Sequence, residues 1–180
     1  MAFRRPTPVQ DRDTLAFVGD GDDTVRELTR RLAAVEDELA IYRVLARYGP
    51  SVDSGSSEEA AELWTEDGEY DAQVGVWCGR AAIAGMVAGP GHQGLIHAGA
   101  AHVMGGVPYV TVDGDVATAI AYYHLHRRQG DHFEVWRVTA TRWDLVREPE
   151  GWKVLKRVNR LLDGGDDARM LLRQGIAPAS

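Results

Sequence analysis

The chain has a single cysteine, Cys78, among 180 residues, which excludes an intramolecular disulfide and any cysteine-rich zinc site. Positive charge is also scarce, with 20 Lys and Arg against 27 Asp and Glu, for a net charge of -7 and a pI near 5.3. That balance argues against a general electrostatic hold on nucleic acid or on an anionic membrane. The basic pairs Arg4-Arg5, Arg30-Arg31 and Arg127-Arg128 are isolated by acids or apolar residues and read as solvated faces. No apolar run approaches the roughly 20 residues of a membrane span, and the charged N-terminus has no apolar segment of signal length. A reducing cytoplasm is the expected compartment. What the sequence does have is 44% hydrophobic residues, enough for one domain with a core and hence one site.

The breakers Arg5-Pro6, Thr7-Pro8 and Gly19-Asp20-Gly21 predict a loosely ordered lead-in over 1–22. From Asp23, Val25, Leu28, Leu32, Val35, Leu39, Tyr42 and Leu45 recur at three- and four-residue steps, the period of an amphipathic helix capped by Asp22 or Asp23. Pro50 is expected to end it. Ser56 or Ser57 would then cap a short helix over 58–64, with Glu58 and Glu59 suiting its positive N-terminus. Asp67-Gly68 reads as a turn, 69–72 and 75–78 as short strands, and 80–88 as a third helix closed by Gly89-Pro90-Gly91. The loop from Gly85 to Gly99 is expected to form a mobile flap at a pocket mouth.

Four β-rich runs follow, at 101–112, 116–128, 132–147 and 152–162, joined at Asp113-Gly114-Asp115, Gln129-Gly130-Asp131 and Glu148-Pro149-Glu150-Gly151. Consecutive antiparallel strands after two or three helices define an α+β fold. The simplest arrangement is a cone-shaped, curved antiparallel sheet wrapped over the N-terminal helices, an α+β barrel spanning 23–163. The tail over 164–180 holds a short helix whose Met170, Leu171 and Leu172 are expected to dock on a neighbouring subunit.

The residues with chemical promise sit where the first helix breaks. Tyr48 and Asp53 lie five apart, with Leu45 behind and Trp64 ahead, so the acid can turn inward under the helix and meet a histidine from mid-chain. His102 is the candidate partner, since a carboxylate bonded to an imidazole in an apolar pocket can abstract protons. His92, His97 and His102 with Asp53 also suggest a metal site, but their glycine-rich segment has no fixed spacing, so no metal ligand is assigned. His124 and His126 share one strand face, because side chains alternate, and His124 is the one expected inside. Among the aromatics, most belong to the core, while Trp64, Trp77, Tyr122 and Trp136, with His126, are the candidate pocket walls.

Three stretches resemble the SnoaL-like branch of the nuclear transport factor 2-like superfamily. They are Ile41 to Tyr48 with Val52-Asp53-Ser54-Gly55 and Ala60 to Tyr70, His102 to Ala117, and Gly151-Trp152-Lys153-Val154 with Arg157. The resemblance covers roughly 25–162 and implies a cone with one deep apolar pocket, assembled as a dimer or trimer. Its motifs are most similar to the scytalone dehydratase, hexachlorocyclohexane dehydrochlorinase and bile-acid dehydratase group. That similarity implies an Asp53-His102 dyad, a helper tyrosine at Tyr48, a second histidine at His124 or His126, and a late-strand arginine at Arg157, with Arg160 the alternative. The group's usual asparagine after the histidine is missing, since Gly105-Gly106-Val107-Pro108 stands there.

The expected function is a cofactor-independent lyase or isomerase, dehydratase-like, acting on a small cyclic or polycyclic hydrophobic molecule. Asp53 would orient His102, and Tyr48, Tyr122 or Tyr123 and Arg157 would face developing charge. The rivals are a non-catalytic ligand-binding or assembly domain on the same fold, a polyketide cyclase and an epoxide hydrolase.

Overall fold

The computed structural model describes residues 21–176, so the expected lead-in lies, up to residue 20, outside the described residues. Contacts divide the chain into two compact units, Met1–Glu36 and Asp37–Ser180. The first helix, α1 (Gly21–Asp53), contributes the described residues of the first unit and opens the second. In the first unit, the ion pairs of Arg26 with Asp22 and Asp23 and of Arg30 with Glu27 follow helical spacing. The apolar stripe there is not buried: Val25, Leu28, Leu32 and Val35 are 56–62% exposed. Within the second unit the period does meet a core, and Ile41, Leu45, Tyr48 and Val52 are all buried.

Pro50 does not end α1, which runs three residues further to Asp53. Proline removes only its own N–H and restricts the residue before it. That residue is Gly49, and the helix resumes with Ser54 N–H donating to the Pro50 carbonyl at 3.0 Å. The second helix, α2, is one short turn (Ser57–Ala61). Asp67-Gly68 is not a turn but lies inside β1 (Trp64–Asp71). A Cβ on Gly68 would sit 2.7 Å from the Trp64 ring, so the glycine lets the strand fold closely over that indole.

After β2 (Val76–Cys78) and α3 (Arg80–Ala88) comes a further helix, α4 (Pro90–His97), where a flap loop was expected. Gly89 is extended and Pro90 takes the first helical position, the arrangement that favours a helix start rather than a stop. The expected strand over 101–112 is broken into β3 (Ala100–Met104) and β4 (Tyr109–Asp113). Between them Gly106 adopts φ 138° and Pro108 has no donor for a ladder. The long strands are β5 (Val116–Gln129), β6 (His132–Glu148) and β7 (Gly151–Leu161).

These form one seven-stranded sheet in the order β2-β1-β7-β6-β5-β3, with β4 also on β5. It is not wholly antiparallel, because β1 pairs β7 in parallel. Register shifts at Leu125/His126 and Asp144/Leu145 are the bulges that bend such a sheet. The result is an α+β domain with an open curved sheet and helices against it. Its inner face carries Ala119, Tyr123, Thr141, Trp143 and Arg157, which pack toward α1 and β1.

The last helix, α5 (Asp166–Ile176), buries Ala168 and Leu171 against Ala140 and Val158 on the outer face of its own sheet. Gly175 lies so close to Ile120 that a Cβ there would fall 1.9 Å from that side chain. Leu171 is thus buried within the chain, whereas Met170 stays 51% exposed. Among the described residues, no helix is long and apolar enough to cross a membrane.

Candidate active site

The last two turns of α1 deliver Tyr48 and Asp53 to the inner face of the sheet. Asp53 takes two hydrogen bonds from one residue: the His102 backbone N–H to Oδ2 at 2.8 Å and the ring Nδ1 to Oδ1 at 2.6 Å. Because Nδ1 donates to the carboxylate, the neutral ring keeps its lone pair on Nε2. Two bonds from one residue, one from its main chain and one from its ring, fix both the height and the rotation of the imidazole. The close approach of α1 to β3 depends on Gly49, where a Cβ would meet the His102 carbonyl oxygen at 2.7 Å.

His92, from α4, lies on the other side of the ring. Its ring stacks on that of His102 at 5.4 Å, and its Nε2 lies 2.8 Å from the Val52 carbonyl. The carbonyl can only accept, so Nε2–H donates. Burial lowers the pKa of His92, and it stays neutral at pH 7. The sequence offered His92 only as a metal ligand; its signal was Gly89-Pro90, which places it on a helix beside Asp53. Among the described residues, no group of three or more His, Cys, Asp or Glu side chains could hold a metal ion.

The dyad opens onto a cavity of about 510 Å³ walled by Tyr48, Trp77, Met86, Leu95, Leu125 and Trp136, with His92 and Arg137 as further polar groups. An inner recess of about 70 Å³ continues from it past His102 to Tyr123, Arg157 and Asn159. Arg157 is 1% exposed. Its guanidinium lies over the rings of Tyr48, Tyr70, Tyr123 and Trp143 at 4.1 to 4.8 Å. Its Nε and Nη1, and Oδ1 of Asn159, have no hydrogen-bond partner. Burial pushes the Tyr123 hydroxyl up to about 12 and that of Tyr48 well above its usual range, so both remain protonated.

Strand register sorts the remaining candidates by face. His102 pairs with Leu125 and Leu125 with Arg137, which puts all three on the inner face. His124 pairs with Val103 and Val138, one residue out of phase. It adjoins the recess, but its imidazole stacks on His126 at 5.9 Å on the outer face, away from the dyad. Tyr122, 49% exposed, shares that face and is not a cavity wall. Trp64 is fully buried in the core behind Tyr48 and does not reach the cavity. Arg160 lies on the outer face in a bidentate pair with Asp71 at 2.6 and 2.9 Å, leaving Arg157 as the inward arginine. His126, Tyr122 and Trp64 thus line neither the cavity nor the recess, whereas His102, Tyr48, Trp77 and Trp136 line the cavity, Arg157 and His124 border the recess, and Asp53 is held on His102.

An open curved sheet with helices against it, and an acid-imidazole pair at the wall of an apolar cavity, define an α+β domain of the nuclear transport factor 2-like kind. The pattern of the SnoaL-like domain matches residues 33–158, and the chain belongs to that family. An NTF2-like protein with a cystatin-like fold from Novosphingobium aromaticivorans is 44% identical, with a TM-score of 0.78 over 81% of this chain and 94% of that one. A protein from the same species, described as a candidate aromatic ring hydroxylase, shares the fold at 24% identity and TM-score 0.55, covering 71% of this chain and 90% of its own. A protein from Catenulispora acidiphila in complex with S-DNPA does so at 21% identity and TM-score 0.56, covering 78% and 98%. No curated protein matches the chain.

Proposed function

We propose that this protein is a lyase or isomerase of the dehydratase type, in which His102 takes a proton from carbon in a small cyclic, largely hydrophobic substrate. The observation that carries the reading is the doubly held His102, whose Nε2 is left as a base at the wall of an apolar cavity. In the forward step Nε2 accepts the C–H proton, and the C–H electron pair becomes a new C=C bond or an enolate. The imidazolium, stabilised by the Asp53 carboxylate, then returns its proton to a departing hydroxyl, which leaves as water, or to another carbon, which completes an isomerisation. Tyr48 and Arg157 supply donors and positive charge for the oxygen on which negative charge develops. A Catenulispora protein of the same fold is in complex with S-DNPA, which agrees with a small-molecule role.

The test uses solvent exchange, because it reads proton abstraction whatever the product. A panel of cyclic β-hydroxyketones and enones is incubated with the protein in D2O, and deuterium at the acidic carbon is followed by NMR. Wild type is expected to catalyse exchange or elimination of at least one member, and Asp53→Asn and His102→Ala to lose about 100- to 10,000-fold. If those variants turn the same compound over at the wild-type rate, the dyad reading is wrong. Binding of panel members without exchange would assign the cavity to a carrier instead.

A further inference from the structure

We propose that the front of α1 is a dimerisation helix that pairs, parallel and in register, with the same segment of a second copy of this chain. In the first unit Val25, Leu28, Leu32 and Val35 are all more than half exposed, with no apolar partner among the described residues. An isolated helix of this length with its apolar face in water is marginal even when built of good helix formers. The spacing of these residues is three, four, three, which is the seam of a two-stranded coiled coil rather than the broader face of a core helix. In the sequence the same period continues through Leu39 and Tyr42.

The flanking charges choose the occupant. With Val25 and Leu32 at the first core position of each heptad and Leu28 and Val35 at the second, Arg31 and Glu36 fall on the two positions that border the seam. In a parallel, in-register pair, the residue before one heptad faces the residue five places later on the other helix. Arg31 of one copy therefore meets Glu36 of the other, twice over by symmetry. The sequence repeats the device with reversed sign at Glu38 and Arg43. Neither Arg31 nor Glu36 has an ion-pair partner within the chain among the described residues, whereas Arg26 and Arg30 do. The stripe also begins before the region that matches the family, which starts at residue 33. A second copy satisfies both the apolar seam and every bordering charge.

Light scattering on the full chain between about 1 and 100 µM reads the outcome. Wild type is expected to approach twice the 19.7 kDa chain mass, and Leu28→Glu/Leu32→Glu to shift to lower mass with the folded domain retained and only the helical signal of the unpaired segment reduced in the far-UV spectrum. A monomeric wild type, or a double variant that keeps the wild-type mass, overturns the proposal. Arg31→Glu, which leaves the apolar seam intact and sets two acids face to face, should weaken the assembly about 5- to 30-fold. Arg31→Glu/Glu36→Arg should restore it, and failure to restore it overturns the parallel register.

Discussion

Two pairs of imidazoles stack in this molecule, His92 on His102 and His124 on His126, at similar separations and on opposite faces of the sheet. Ring geometry alone does not distinguish them. In the inner pair each ring has an oxygen that fixes a proton: Asp53 on Nδ1 of His102, and the Val52 carbonyl on Nε2 of His92. In the outer pair no acid among the described residues holds either ring, and Nε2 of His126 is buried with no partner among them. The difference teaches that the partner of a histidine, more than its packing or its place in the sequence, sets what the ring can do.

The comparison is broken most directly at the acid. Asp53→Asn keeps the shape of the site but can no longer stabilise an imidazolium, and turnover should drop about 100- to 10,000-fold in a D2O exchange assay. Next in size is Arg157→Met. Removing a donor that faces developing charge costs about 100- to 1,000-fold in turnover. A buried cation without a carboxylate partner is costly to keep, so calorimetry should find the melting temperature of Arg157→Met unchanged or raised. A large drop in melting temperature would instead make Arg157 a structural post for the surrounding aromatic rings.

His92 sharpens the contrast through pH. Its folded pKa lies below 6.5 because the ring is buried, so on acidification the unfolded chain takes up this proton first. The stability His92 contributes is therefore fully present above pH 6.5 and is lost as pH falls from there through the folded value. His92→Gln keeps a donor for the Val52 carbonyl but does not titrate, and denaturant midpoints measured from pH 7.5 to 5 should fall less steeply than for wild type. The smallest effect belongs to the outer pair. His124→Ala/His126→Ala should leave exchange within about threefold of wild type, since neither ring faces the reacting atoms. A loss as deep as that of His102→Ala would erase the distinction.

The inner site was largely legible because its two decisive residues sit at strong local signals. Asp53 follows the last turn of a periodic helix, and His102 stands in a β-rich run. Strand alternation also linked His124 to His126 correctly. It could not say which side they take, because that depends on register against β3 and β6. The helix α4 was hidden by Gly89-Pro90-Gly91, a run of breakers that here marks a start. Pro50 misled in the opposite sense, since a proline one turn from a helix end costs a single hydrogen bond and need not stop the chain. The docking of α5 on its own sheet rests on Gly175 fitting Ile120, a contact between distant residues that no local pattern encodes. The parallel pairing of β1 with β7 is equally non-local.

Gly49 carries a consequence of a different kind. The distance from acid to base is gauged there by main chain against main chain, with no side chain in between. The cavity, by contrast, is shaped by Met86, Leu95 and Trp136, none of which touches that contact. On the proposed reading, selectivity and chemistry are thus separately adjustable: walls can be recut to admit a new ring system while the reach from Asp53 to His102 stays fixed, so that substrate range could be redesigned without retuning the pair.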